Sequence, residues 1–253
     1  MSPFTFDAAQ APGLAEIAAS LPLSLAPTAV GSAPQLAAVA GTSGWEARAK
    51  AALDGGALAA VVSSPSAASR DVDDPRVVLD WPFAANPGVL AAAEAAVALQ
   101  ERGVLAEATL TVPPGTDLDA ALLDALTAVV RVLGDVTPLR TLHRDQAGWH
   151  LAAELPNGAP ASVALVVSGA EPAVLRLRLL TDEGGLTALV PSPDTAAPAE
   201  VRIVGPEGER LLPTLWETSR RASWRRAVAI AAGDAVSADH TELHRVTVLA
   251  PAP

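Results

Sequence analysis

Three short apolar runs separated by helical segments constrain the fold of this chain more than any other feature. Leu36–Ala40, Leu58–Val62 and Arg76–Leu79 are each too short for a buried helix, and turn residues bound them, so they read as buried strands. Between the first two, Gly41-Thr-Ser-Gly44 is a loop, with Ser43 a candidate N-cap, and Trp45–Leu53 reads as a helix halted by Gly55-Gly56. After the third, Asn86-Pro87 opens a helix with Asn86 as N-cap and Pro87 at the first helical position; it runs through Glu101 and ends at Gly103. Upstream, Leu14, Ile17, Ala18 and Leu21 recur at helical spacing and predict a helix over 8–20. Buried strands alternating with helices imply a parallel sheet of α/β type.

Beyond Gly103 the pattern changes. Val104–Val112 alternates as a strand, and Asp117–Leu133 is a long helix closed by Gly134, with Asp117 or Thr116 as its cap. Strand-like segments then follow at 136–143, 148–154, 162–169, 173–181, 186–191, 200–205 and 209–213. Turn signals such as Pro156-Asn-Gly158 and Pro206-Glu-Gly208 separate them, which predicts a mostly antiparallel sheet. Two helices, 215–232 and 237–249, end the chain. The expected fold class is α/β plus α+β: a reduced Rossmann-like domain over 1–105, then an open-sheet domain covered by helices over 106–253.

Composition removes several classes of chemistry. The 253 residues include no cysteine and no tyrosine, so disulfides, thiolate nucleophiles and phenolic acids are excluded. A single lysine, Lys50, stands against sixteen arginines, and it falls on the first predicted domain's helix, where it reads as a solvated residue. A net charge of −11 argues against nonspecific nucleic-acid binding, which depends on neutralising phosphates. No basic region precedes an apolar stretch at the N-terminus, and charged residues, Gly or Pro break every long apolar run. No membrane span and a cytoplasmic location are therefore expected.

The order of elements resembles one family, the glucose–fructose oxidoreductase, inositol dehydrogenase and rhizopine-catabolism (MocA) oxidoreductases. Asp54–Ser63 with Pro65 is similar to that family's strand leading to a proline at the cofactor edge. Val77–Ala84 (VVLDWPFA) is similar to its segment ending in Glu-Lys-Pro, and Asp124–Asp135 to its long helix that bears a histidine and ends in Leu-Gly. Glu200–Leu212 is similar to its strand–turn–strand with a Gly-x-x-Gly turn, and Trp224–Gly233 to the helix before its closing segment. The resemblance spans 36–250 and implies a Rossmann-like domain, a nicotinamide cofactor and oxidation of a sugar or polyol.

Three positions depart from what that chemistry uses. No G-x-G-x-x-G is present, and the N-terminal segment offers Gly13 alone before a helix, with no convincing strand ahead of it. Asp80-Trp81-Pro82 stands at the Glu-Lys-Pro position, so Trp81 replaces a lysine that assists proton transfer, and an indole cannot exchange a proton at neutral pH. Asp124 falls where the histidine would be, which makes it the candidate base; Trp81 and Asp80 are the candidate substrate-binding residues. These departures lead to the expectation of a non-catalytic binding or assembly subunit without a cofactor. A homo-oligomer, or pairing with an active homologue, is expected through the second domain's sheet, where 162–169 is apolar enough to be covered on both faces. The alternatives are an NAD- or NADP-dependent dehydrogenase of a sugar or polyol, and a sugar-binding module with Trp81 as a stacking floor.

Other constellations carry less. His240 and His244 are one helical turn apart, but no third ligand has metal-site spacing, so no metal is expected. His143 and His150 flank a hairpin turn. Ser219–Arg226 places Arg220 with Trp216 and Trp224 on one helical face, a possible cation–π arrangement.

Overall fold

A computed structural model describes residues 3–7, 14–21, 24–29, 32–67, 73–195 and 197–251. The chain forms two compact units: Met1–Trp81 with Ser219–His244, and Pro82–Thr218 with Arg245–Pro253. The expected boundary near residue 105 differs from this division. The helix at Pro87–Gln100 packs on elements of the second unit, and the chain returns to the first unit after residue 218.

Among the described residues the first unit holds five parallel strands: β1 (Phe4–Phe6), β2 (Leu25–Pro27), β3 (Leu36–Ala40), β4 (Ala59–Ser63) and β5 (Val77–Asp80), in the order β2-β1-β3-β4-β5. The sequence pattern missed β1 and β2, since three residues cannot display an alternation. Thus a strand does precede the first helix. That helix, α1, is Leu14–Ser20; the rest of the helix expected over 8–20, with Gly13, lies outside the described residues. The helix α2 (Trp45–Asp54) joins β3 to β4 and buries Trp45, Ala49 and Leu53. Gly44, not Ser43, occupies its N-cap, in a left-handed conformation with φ 75°.

The other face is closed from far along the chain. The helix α5 (Ser219–Ala231) lays Trp224, Ala227 and Ile230 on Phe6, Leu36, Ala38, Val61 and Val78. Phe6 and Trp224 meet edge to face at 5.9 Å. Being covered on both faces explains why β3, β4 and β5 are apolar without alternation.

The second unit is an eight-stranded sheet, ordered β13-β12-β11-β10-β6-β9-β8-β7. Its strands are β6 (Gly103–Val112), β7 (Arg140–Asp145), β8 (Gly148–Glu154), β9 (Pro160–Val167), β10 (Val174–Thr181), β11 (Gly184–Pro191), β12 (Glu200–Gly205) and β13 (Gly208–Leu211). All pairings are antiparallel except β6 with β9. A single row, Leu151–Val163–Ala108–Leu177–Ala188–Val201, runs buried across six strands. The helices α3 (Pro87–Gln100) and α4 (Leu118–Leu133) pack on this sheet and on each other. Asn86 caps α3 by accepting from the Gly88 amide at 2.8 Å, and Asp117 caps α4. Alternate residues carry Arg176 and Arg178 outward, paired with Glu171 and Glu107. On β9, Val163 and Leu165 are buried while Ser162, Ala164 and Val166 are not, so this strand alternates in the ordinary way.

The last helix, α6, is Asp239–Leu249. Among the described residues no helix is long and apolar enough to cross a membrane.

Candidate functional site

Parallel strands in an open α/β sheet present ligands at their carboxyl ends, at the point where strand order reverses. Here that point lies between β1 and β3, because β2 flanks β1 on one side and β3 on the other. Among the described residues the short β1 pairs with β3 through Phe6 and Leu36 alone. A cavity of about 450 Å³ opens along β3 and α2, within the 300–1,000 Å³ usual for small-molecule sites. Asp7, Pro34, Ala38, Ala40, Arg48 and Ala52 line it, and its width follows from the small alanine side chains.

The loop after β3 is rigidly held. A side chain at Gly41 would place Cβ 2.4 Å from the Ser63 carbonyl and 2.5 Å from that of Ser64, so the backbone of the β4 end admits only glycine there. The Gly41 amide donates to Ser63, and Gly41 accepts from the Ser66 amide. Arg48 donates to the carbonyls of Ala40, Thr42 and Ser43, bracing the turn from α2. Ser64 has φ 48°, a left-handed conformation uncommon outside glycine, and its amide donates to the Asp80 carbonyl. The three strand ends are thus tied into one frame.

At the end of β5, Asp80 is 4% exposed. Burial pushes its carboxyl up to about 6; the Ser223 hydroxyl and the charges of Arg220 and Arg226, all on α5, oppose that rise. Ser223, which is wholly buried, is the side chain that meets this carboxyl. Next to them, Asp239 accepts from the Leu79 amide at 2.8 Å and from Arg226 at 2.5 Å. This carboxylate therefore satisfies an amide on the sheet-edge strand. Trp81, a candidate substrate contact, is 1% exposed, and its indole N–H is without a partner.

Asp124 lies on α4 in the second unit, 3% exposed. Its two oxygens accept from the amides of Phe83 and Ala84 at 2.9 and 2.8 Å. Arg131, two turns further along the same helix, donates to the Ala84 carbonyl at 2.6 Å. Together they clamp the backbone just after Trp81-Pro82. The sequence pointed to Asp124 but gave no sign of this use, since the acceptors and donors lie some forty residues apart.

The remaining constellations are peripheral. His143 and His150 are register partners across the β7–β8 hairpin. Trp224 belongs to the first unit's core and Trp216 is 74% exposed, while the cation–π contact present is Arg144 over Trp149 at 4.1 Å. No group of three or more potential metal ligands occurs among the described residues. Lys50 pairs with Asp54 on the exposed face of α2.

No protein-family model matches the chain, and no curated protein matches it in sequence. Solved structures share its fold. The 3-ketoreductase KijD10 of Actinomadura kijaniata, with NADP and TDP-benzene, superposes with a TM-score of 0.61 at 14% identity, over 93% of this chain and 83% of that one. The UDP-N-acetylglucosamine 3-dehydrogenase GnnA of Acidithiobacillus ferrooxidans gives 0.57 at 16% identity, over 97% and 86%. Both are oxidoreductases of the type the sequence resembles, and the two-domain fold with a Rossmann-like sheet is established by them. They correct two expectations. The reading as a subunit that has lost dehydrogenase chemistry yields to its alternative, because the fold neighbours are a ketoreductase and a dehydrogenase. The expectation of no cofactor falls with it, because KijD10 holds NADP on this fold.

Proposed function

We propose that this protein is an NAD(P)-dependent oxidoreductase that interconverts a hydroxyl and a carbonyl on a sugar or polyol, as a divergent member of the glucose–fructose oxidoreductase, inositol dehydrogenase and MocA family. The observation that carries the reading is the cavity of about 450 Å³ at the reversal of strand order, the place where this sheet type takes a dinucleotide.

The lining fits the nucleoside part of such a cofactor. Alanine walls leave room for a flat ring, the Asp7 carboxylate can accept from ribose hydroxyls, and Arg48 puts a positive charge on the same wall. When bound, the cofactor supplies or accepts a hydride. The chain's own residues do the rest. Gly41, Arg48 and the Ser63–Ser64 backbone hold the strand ends in a fixed frame, and Asp124 with Arg131 fixes the backbone after Pro82. With no lysine at position 81, proton handling falls to another group.

Titration of the full chain with NADPH and NADH, followed by calorimetry or nucleotide fluorescence, tests the reading. Binding in the micromolar range is expected, weakened at least tenfold in Ala52→Trp, which fills the cavity from α2. Absence of binding at millimolar nucleotide refutes it.

A further inference from the structure

Two charged side chains line the cavity along β3, and they offer a ligand different things. Arg48 is committed to the loop that follows the strand. Its Nη1 donates to the Ser43 carbonyl at 3.0 Å. Its Nη2 donates to the carbonyls of Ala40 and Thr42 at 2.9 and 2.8 Å, and to the Thr42 hydroxyl at 2.9 Å. A guanidinium recognises phosphate through a fork of paired N–H donors, and here the fork is closed on main-chain carbonyls. Turning it toward a phosphate would release the turn that it braces. Lys50, on the same helix, does not line the cavity and pairs with Asp54.

Asp7 directly follows β1, whose backbone is pinned on both sides. The Thr28 amide donates to the Phe6 carbonyl at 2.8 Å, and the Gln35 amide to the Thr5 carbonyl at 2.9 Å. The residue after Phe6 therefore emerges at the reversal of strand order, at a place the sheet fixes. An ionised carboxylate accepts hydrogen bonds and donates none. It suits the hydroxyls of an unmodified ribose. It repels a phosphate monoester, which carries a charge of about −1.5 to −2 at neutral pH.

We propose that Asp7 is a specificity-determining residue that selects a dinucleotide with a free ribose 2′-hydroxyl over its 2′-phosphorylated counterpart, so that this chain prefers NADH to NADPH. The preference rests on the proposed oxidoreductase reading of the same cavity, and it chooses between the two cofactors which that reading allows. Selection works by exclusion as much as by attraction. Ribose hydroxyls give the carboxylate charge-assisted hydrogen bonds, whereas a 2′-phosphate beside it meets a like charge. Sites that take the phosphorylated form set an arginine against that phosphate. Arg48, the arginine among the described lining residues, is engaged with the loop instead. KijD10 holds NADP, so this preference sets the chain apart from that fold neighbour.

Parallel calorimetric titrations of the full chain with NADH and NADPH at low ionic strength decide it. NADH is expected to bind roughly tenfold or more tightly, with the gap narrowing as salt screens the carboxylate. Asp7→Asn and Asp7→Ser both remove the charge and keep a polar group. Each should weaken NADH and strengthen NADPH until the two lie within about threefold of one another. The fragments 5′-AMP and 2′,5′-ADP, used as competitors, should follow the same order, which ties the discrimination to the 2′ position. Equal affinities in the wild type, tighter binding of NADPH, or a ratio unmoved in both variants overturns the preference and leaves the dinucleotide reading standing. Binding of neither nucleotide overturns that reading, and the preference with it.

Discussion

Removing the carboxylate of Asp124 tests the physical argument about the second unit most directly. Both of its oxygens are in use, on the amides of Phe83 and Ala84, residues that are 5% and 0% exposed. A hydrogen bond to a charged group contributes about 1.5–3 kcal/mol net, and a buried amide left without a partner costs about as much as the bond it loses. Asp124→Ala should therefore destabilise the fold by about 3–6 kcal/mol. Asp124→Asn keeps one acceptor oxygen but turns an NH₂ toward a donor, so about half of that loss, roughly 2–3 kcal/mol, is expected. Arg131→Ala removes the bond to the Ala84 carbonyl and should cost about 1.5–3 kcal/mol for that bond. Because Asp124 and Arg131 hold the amide and the carbonyl of the same residue, Ala84, the double variant should cost less than the two losses combined. Urea unfolding of the full chain, read by tryptophan fluorescence, measures each value. A cost below about 1 kcal/mol for Asp124→Ala, the range of a solvent-facing helix position, refutes the clamp.

Two further outcomes follow from the first unit. Asp80 is raised from 3.8 to about 6, so between these values the folded chain holds a proton that the unfolded chain has released; stability should fall by up to about 3 kcal/mol as pH rises through that window, and Asp80→Asn should flatten this slope in urea midpoints taken from pH 4 to 7. A stability that rises across the same window in wild type but not in the variant would contradict the raised value. Gly41→Ala drives a Cβ into the backbone of Ser63, Ser64 and Pro65 and should destabilise by at least about 1–3 kcal/mol, with weaker dinucleotide binding in the same titration; a neutral substitution would show that this backbone yields freely.

What the sequence made legible was local. Asn86-Pro87 announced the start of α3 because cap and first-turn chemistry act within three residues, and Gly134 closed α4 for the same reason. The strands of the second unit were visible through alternation and turn residues, while β1 and β2 were too short to show a period. Long-range closure left no local trace. Nothing near Asp80 announces a helix 140 residues away, and nothing in α5 reveals that Trp224 meets Phe6. The candidate site divides the same way: residue types at 80, 81 and 124 drew attention, but the bonds that define Asp124's work and the burial of Asp80 come from tertiary structure alone.

The return of residues 219–244 to the first unit imposes an order on biosynthesis. A nascent chain that has emerged only as far as Trp81 lacks Trp224, Ala227 and Ile230, so the flank made of Phe6, Leu36, Val61 and Val78 stays wet until α5 has been made. The intervening unit, continuous from Pro82 to Thr218 apart from a short tail, can condense first. The first unit's strands are thus sealed only after the intervening unit has been made, and a chain cut short before α5 would present that greasy flank to chaperones and proteases.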